Sequence, residues 1–362
     1  MARFFDTRAA YNMFVNATDE KTVVADRVAR IGETLVIGQP GLRIFDAGMG
    51  DGALLANVMR HLHRRFEYVP WLVVAKEISI EDVRQGLARL PDRFLEHPEL
   101  VVVVTNLRFV DAPWLRLGAE GRWRQVALAG DTSAEFTEQI EDLFGGLAED
   151  WQVRTSASSG NPVYVNPAAV VLYRADHEFL LQPLLPRPGA PLEFDVAIAS
   201  QAYRAATPLA RKVGLVLAPI ARSLAPGGKL IVVQAAGDDP GLEIVRSVWP
   251  DEEPFPHRRW DVLAQARRQL ADVDDLEFAD LPDSEAMFRF SLHTMPSAEA
   301  EGIGTSSVLA AWNAATYVAQ IDEERLAQAM ESTRYLEGTR QVMEKYEAIY
   351  WNDELFTIER GR

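Results

Sequence analysis

Apolar residues in this chain recur first at helical spacing and then in short unbroken runs. Tyr11, Phe14, Val15, Val23, Val24, Val28, Ile31 and Leu35 keep a helical period over 8–37, with a polar break at 16–21. Asn16 or Thr18 is expected to cap the second of these helices. A turn cluster, Gly38-Gln39-Pro40-Gly41, ends the stretch. Continuous apolar runs follow at 42–47, 71–75, 100–105, 194–200 and 229–234, and helical periodicity fills 53–62, 79–90 and 207–223. Strands apolar on both faces and joined through helices predict a parallel sheet covered on both sides.

After residue 235 the pattern predicts a helix at 259–271, strands at 276–279 and 287–290, helices at 305–317 and 322–346, and a last strand at 354–358. Residues 112–192 break the alternation. A structureless loop of that length is rare in a compact domain. We read the segment as an inserted subdomain with a helix at 133–144 and strands at 163–165, 170–173 and 179–182. The division is then a helical cap or lid at 1–37, a main domain at 38–111 and 193–362, and the insertion at 112–192.

Composition narrows the function. Of the 362 residues, 48% are hydrophobic and 25% charged, enough for a sizeable core. The net charge of -16 opposes binding to a phosphate backbone or an anionic bilayer. The densest basic group, His61, His63, Arg64 and Arg65, reads as a solvated helix end. There is no cysteine, so disulfides, thiolate metal sites and cysteine nucleophiles are excluded, and no metal is expected. Met1 to Ala10 carries no apolar run of the signal-peptide kind, and no stretch has membrane-spanning length. The expectation is a cytoplasmic monomer or homodimer whose partner is a small molecule, with neither nucleic acid nor membrane.

The most informative segment is Ile44-Phe45-Asp46-Ala47-Gly48-Met49-Gly50-Asp51-Gly52, which ends the first strand and opens a helix. Glycines let the backbone approach a ligand with no Cβ in the way, and a helix start offers free N–H groups. The spacing of Gly48, Gly50 and Gly52 is G-x-G-x-G, not the G-x-G-x-x-G of dinucleotide binders. Asp46, two residues before the first glycine, suits an ammonium group better than a pyrophosphate. Glu77, just past the second strand, is placed to accept hydrogen bonds from ribose hydroxyls. Thr105 and Asn106, at the end of the third, are placed to meet an adenine edge. Each alone is also an ordinary turn or helix start. Together, in this order, they point to a nucleoside-type cofactor.

This ordered set resembles the class I S-adenosylmethionine-dependent methyltransferases over about 40–110 and 192–236. The likeness includes Phe194-Asp195-Val196 and Leu224-Ala225-Pro226-Gly227-Gly228-Lys229-Leu230. It implies an α/β fold with a doubly wound, mostly parallel, seven-stranded Rossmann-like sheet whose last strand, at 354–358, lies antiparallel. It implies S-adenosyl-L-methionine as cofactor, held by Asp46, Gly48, Gly50, Gly52, Glu77, Ile78, Thr105, Asn106 and Ser200.

Three further segments, Phe14-Val15-Asn16-Ala17-Thr18-Asp19-Glu20, Ile198-Ala199-Ser200-Gln201-Ala202-Tyr203 and Tyr350-Trp351-Asn352-Asp353-Glu354-Leu355-Phe356, resemble histamine N-methyltransferase. That likeness implies an amine acceptor bound by Glu20, Gln201 and Asn352, with Tyr11, Phe14 and Tyr203 as aromatic neighbours. The 112–192 segment is foreign to the pattern. Glu20 would neutralise an ammonium, and the two amides would hold a nitrogen heterocycle by its edge. A neutral nitrogen needs no base before attack on a sulfonium methyl, so no catalytic residue is assigned. A hydroxyl acceptor would need one, and His177, His257 and His293 are then the candidates. The competing readings are an O-methyltransferase of a secondary metabolite, a dinucleotide oxidoreductase, which the glycine spacing disfavours, and a catalytically silent binding module.

Overall fold

A computed structural model describes residues 8–157, 162–279, 281–293 and 304–362. Its strands are β1 Leu42–Asp46, β2 Trp71–Lys76, β3 Leu100–Thr105, β4 Arg122–Leu128, β5 Val153–Thr155, β6 Pro162–Tyr164, β7 Ala168–Arg174, β8 Phe194–Ser200, β9 Leu224–Ala235, β10 Leu276–Ala279, β11 Met287–Ser291 and β12 Tyr350–Arg360. The main sheet runs β10-β12-β9-β8-β1-β2-β3-β7-β4, and β11 also pairs with β12. The architecture is the expected doubly wound α/β type, but the sheet has ten strands where seven were expected. Two of the additions come from 112–192. β7 joins β3 antiparallel and β4 joins β7, so this segment widens the main sheet. Four of its pairings in all are antiparallel: β3 with β7, and β12 with β9, β10 and β11.

Burial explains the strand register. Along β1 and β2, Leu42, Ile44, Trp71, Val73 and Ala75 enter one core, while Phe45, Leu72 and Val74 enter the other, as a period of two requires. Helices α1 Arg8–Ala17, α2 Glu20–Gly32, α3 Ala53–His63 and α4 Ile80–Leu87 come from the first part of the chain. Of these α2, α3 and α4 cover the first core, and helices 209–221 and Arg259–Gln269 cover the second. Pro219 lacks the N–H that its helix needs, and the turn before it, Val213–Leu217, widens to π geometry. A third core joins Phe14 of α1 to Trp312, Tyr335 and Trp351. No helix of the described residues is long and apolar enough to cross a membrane.

The helix expected over 322–346 is broken at 331–333 into Glu323–Met330 and Arg334–Lys345, and two other local expectations fail. The apolar run at 179–182 is not a strand. Glu178–Leu181 is a helical turn with Phe179 87% exposed and only Leu181 buried, so no sheet face receives it. Neither Asn16 nor Thr18 caps α2. Their side chains donate back to the carbonyls of Asn12 and Phe14, and Asp19 takes the N-cap position. Asp19 is itself engaged elsewhere: its Oδ1 accepts from Ser291 N at 2.6 Å, and its N–H donates to Ser291 O at 3.1 Å. That pair ties the α1–α2 junction to the end of β11 and fixes where the next two residues, Glu20 and Lys21, sit.

Asn106 reinforces the seam between β3 and the added strands with its side chain. Its Nδ2 donates to Asp150 O (3.2 Å) and Asn166 O (2.9 Å), and its Oδ1 accepts from Ala168 N (2.8 Å). A buried partner left without its hydrogen bond costs about 1–3 kcal/mol. Asn106→Ala is therefore expected to lower stability by at least that much in denaturant titration. Hydrogen exchange should quicken in β4 and β7 before it quickens in β1 and β2.

Candidate functional site

The chain runs outward from β1 to β2 and β3, then returns to place β8 on the other side of β1. In open sheets of this kind, the carboxyl ends of the two strands at such a reversal border the ligand crevice. Here those ends are Asp46 and Ser200. Ala47 N donates to Ile198 O (2.9 Å) and Met49 N to Lys76 O (3.0 Å), so the glycine loop is tied to both neighbouring strands. Gly52 begins α3 at φ 77°, and a Cβ there would stand 2.7 Å from Gly86 Cα. Gly50 has φ 54°, and its missing Cβ leaves room for the Tyr11 hydroxyl, 2.5 Å from where that atom would be.

Carboxylates crowd this loop. Asp46 is buried; its Oδ1 accepts from Gly48 N at 3.0 Å, and its Oδ2 has no hydrogen-bond partner among the described residues. Burial pushes its pKa up to about 6, the Glu77 charge adds to this, and the Gly48 N–H and the Lys21 charge oppose it. Glu77 turns back on the loop. Its Oε2 accepts from Gly50 N (2.9 Å), and its Oε1 from Ile78 N (2.8 Å) and Ser79 N (2.9 Å). A carboxylate has about four acceptor positions, so one remains, on Oε2.

Tyr11 clasps the loop from α1. Its hydroxyl donates to Asp51 Oδ1 at 3.0 Å and accepts from Asp51 N at 3.3 Å. Burial and the Asp51 charge hold the phenol well above its usual range. Arg89 grips the other oxygen of Asp51 at 2.7 Å. Arg8 Nη2 lies 2.8 Å from Asp82 Oδ2, yet burial and the Glu77 charge still push Asp82 up to about 7.

A second group of acids meets the first at Lys21. Its ammonium lies 2.8 Å from Glu20 Oε2 and within the fields of Asp46 and Asp353. Burial works against the Lys21 charge, but Glu20 outweighs it and the pKa is raised. Asp353 is fully buried, and Gln201 Nε2 approaches both its oxygens at 3.4 Å. Burial, with the Glu20 charge, drives Asp353 well above the carboxylate range. Ser200 Oγ is buried without a partner among the described residues. Phe14 stacks on Tyr317 (4.8 Å between centroids), which also meets Tyr11 at 5.8 Å.

The structure thus brings Asp46, Gly48, Gly50, Gly52, Glu77, Ile78, Ser200, Glu20, Gln201, Tyr11 and Phe14 to one region. It does not bring the rest. Thr105 Oγ1 donates to Ala168 O (2.7 Å) and Asn106 is spent on the seam described above, so neither side chain offers an edge to adenine. Trp151 lies beside them, its Nε1 donating to Glu77 O at 2.8 Å. The Asn352 amide donates to the carbonyls of Gly237 (3.1 Å) and Asp238 (3.0 Å), away from Gln201. Its neighbour Asp353 faces Gln201 instead, because adjacent strand residues point to opposite sides. Tyr203 donates to Gln234 Oε1 at 2.8 Å, on the far face of the sheet. Among the histidines, His177 pairs with Asp176 at 2.9 Å, His293 is exposed, and His257 has its pKa lowered by burial and by Lys212.

Lys21, Asp51, Asp82, Asp353 and Trp151 are the residues that sequence reasoning missed. Asp51 and Asp353 lay inside segments already singled out. Lys21 directly followed Glu20.

No protein-family model matches the chain, and no curated protein does. Among solved structures, the chain overlaps the plantazolicin methyltransferase BpumL in complex with SAH at 7% identity and a TM-score of 0.38, over 99% of this chain and 91% of that one. It overlaps a geranyl diphosphate methyltransferase in complex with GPP and sinefungin at 13% identity and a TM-score of 0.35, over 94% and 77%. A Galdieria sulphuraria protein described as a sarcosine dimethylglycine methyltransferase overlaps at 12% identity and a TM-score of 0.35, over 94% and 85%. Overlaps this loose assign no chemistry, and what the site does is argued from its own residues.

Proposed function

We propose that the chain is an S-adenosylmethionine-dependent methyltransferase acting on a small molecule, with a nitrogen acceptor preferred. One observation carries this reading. Six buried carboxylates, Glu20, Asp46, Asp51, Glu77, Asp82 and Asp353, surround the glycine loop and the start of α2, against four cations, Lys21, Arg8, Arg89 and Lys76. Burying a carboxylate is costly without a counter-charge. Asp46 Oδ2 and Asp82 Oδ1 are moreover left without hydrogen bonds among the described residues. A ligand with a cationic sulfur and an ammonium answers that deficit; a pyrophosphate worsens it.

When bound, the cofactor supplies a methyl group on a positively charged sulfur. The chain's own work is alignment and exclusion of water, which can supply ~7–11 kcal/mol of a displacement barrier. Asp46 Oδ2 and the free position on Glu77 are the anchoring acceptors. Glu20 and Asp353 favour an amine or imidazole-type acceptor, with Tyr11, Phe14 and Tyr317 as its aromatic wall. Helices α1 and α2 close over the crevice as a lid held by the Tyr11–Asp51 clasp. A nitrogen acceptor leaves one proton to be taken up after transfer, and the carboxyls raised by burial can receive it.

A second reading has its own support. Trp151 and the seam through Asn106 fill the side of the crevice where an adenine edge was expected. That favours a binding module which takes an aminoacyl or amine cation but no adenine ring.

Calorimetry with S-adenosylmethionine, S-adenosylhomocysteine and NAD separates the readings. The first two are expected to bind and NAD not to. Asp46→Asn should weaken the cationic cofactor roughly ten- to hundredfold, the value of a charge-assisted bond. Absence of binding by both sulfur nucleosides would sink the methyltransferase proposal.

The pH dependence has a definite sign. Asp46, at about 6, and Asp82, at about 7, gain protons as pH falls from 8 to 5, so affinity for the sulfonium should fall over that window. Binding near pH 6 should release protons, visible as heats that scale with buffer ionisation. For the free protein, a raised carboxyl favours the fold below its unfolded value, and that advantage is lost as pH rises through about 6. Asp46→Asn should therefore be more stable than the parent at pH 8, by on the order of 1–3 kcal/mol, with the gain vanishing below pH 4, as thermal melts at the two pH values would reveal.

A further inference from the structure

The residue after Asp353 leads to the opposite face of the sheet. Glu354 is fully buried there and pairs across the ladder with Gln234. Gln234 is fixed on both sides: its Nε2 donates to Glu354 Oε1 (2.7 Å) and to His257 O (3.0 Å), and its Oε1 accepts from Tyr203 (2.8 Å). Glu354 Oε2 has Arg258 Nε and Arg259 Nη1 each at 3.5 Å. Glu354 is thus shared already.

Lys212 stands beside this group with no such partner. Its side chain is 1% exposed, and its ammonium lies 5.1 Å from the centre of the Tyr203 ring. Among the described residues that ammonium donates no hydrogen bond. A ring face attracts a cation but has no lone pair to accept an N–H. Burial lowers the lysine to about 8, with Glu354 the one charge that opposes the shift, and the Lys212 charge in turn depresses His257 after burial has done so. Arg258 adds a guanidinium that is partly open to solvent, at the start of the eleven-residue helix Arg259–Gln269. Its Nη1 donates to Ala236 O at 3.0 Å and lies 3.4 Å from Asp238 Oδ2, and its Nε faces Glu354 Oε2.

We propose that Lys212, with Arg258 and His257, forms a second binding site for a small molecule bearing an oxyanion, on the face of the sheet away from the glycine loop. The two faces then carry opposite demands. The Asp353 side has more buried acid than base and the Glu354 side the reverse, one residue apart on β12. An oxyanion supplies the acceptor that the Lys212 ammonium lacks among the described residues, beside a guanidinium that adds to its attraction. The inference does not depend on the cofactor reading.

Inorganic phosphate and acetate are the probes, each compared with chloride at equal ionic strength. In thermal melts of the full chain, at least one is expected to raise the midpoint in a dose-dependent way in the parent and not in Lys212→Met. Phosphate alone would identify a phosphorylated ligand, and acetate alone a carboxylate. The same shift is expected in Asp46→Asn, which keeps failure of the glycine-loop reading separate from failure of this one. Equal shifts in the parent and Lys212→Met, or none in the parent, overturn the proposal. Should Lys212→Met not fold, Arg258→Gln replaces it under the same criteria.

Discussion

Negative charge held out of water is the constraint on which the rest of the molecule turns. The doubly wound sheet collects the carboxyl ends of β1, β2 and β8 at one edge, and antiparallel β12 brings its own beginning to that edge. Acidic side chains from six places therefore converge where little solvent reaches them. Backbone N–H groups satisfy Glu77, arginines satisfy parts of Asp51 and Asp82, and Lys21 is shared among the remainder. What is left over is an excess of buried acid, and it arises from the fold as a whole.

How much of this was legible in the sequence depends on the range of the interactions. Asp46, the glycines and Glu77 were readable because each lies at the end of an apolar run, and strand ends map directly onto a sheet edge. The two cores were readable for the same reason. Asn352 and Asp353 show the limit. Both lie in the segment that pointed to the site, but which one faces it is set by the register of β12 on β9, Asp353 opposite Ala235. Thr105 and Asn106 were placed correctly along the chain. Their hydrogen bonds go to residues 150–168, which no local pattern announces.

The added strands were hard to see for a different reason. β4 is an outer strand whose residues are mostly exposed, among them Arg122 and Arg124, so it shows no apolar run. Both arginines reach Asp150, Arg122 Nη1 at 2.7 Å and Arg124 Nε at 2.5 Å, and Asp150 is followed by Trp151 over the Glu77 carbonyl. The segment foreign to the methyltransferase pattern is in this way connected to the end of β2, beside the glycine loop.

The closeness of Tyr11 to Gly50 has a consequence for how this family of sequences can drift. A methyl group at position 50 and a phenol at position 11 cannot both occupy their places, since the one would fall 2.5 Å from the oxygen of the other. Divergent relatives that carry alanine or serine in the middle of the loop must have a shorter side chain on the first helix, or a helix that sits elsewhere. Position 50 is therefore held to glycine for as long as a tyrosine of this placement stands at position 11, 39 residues before it.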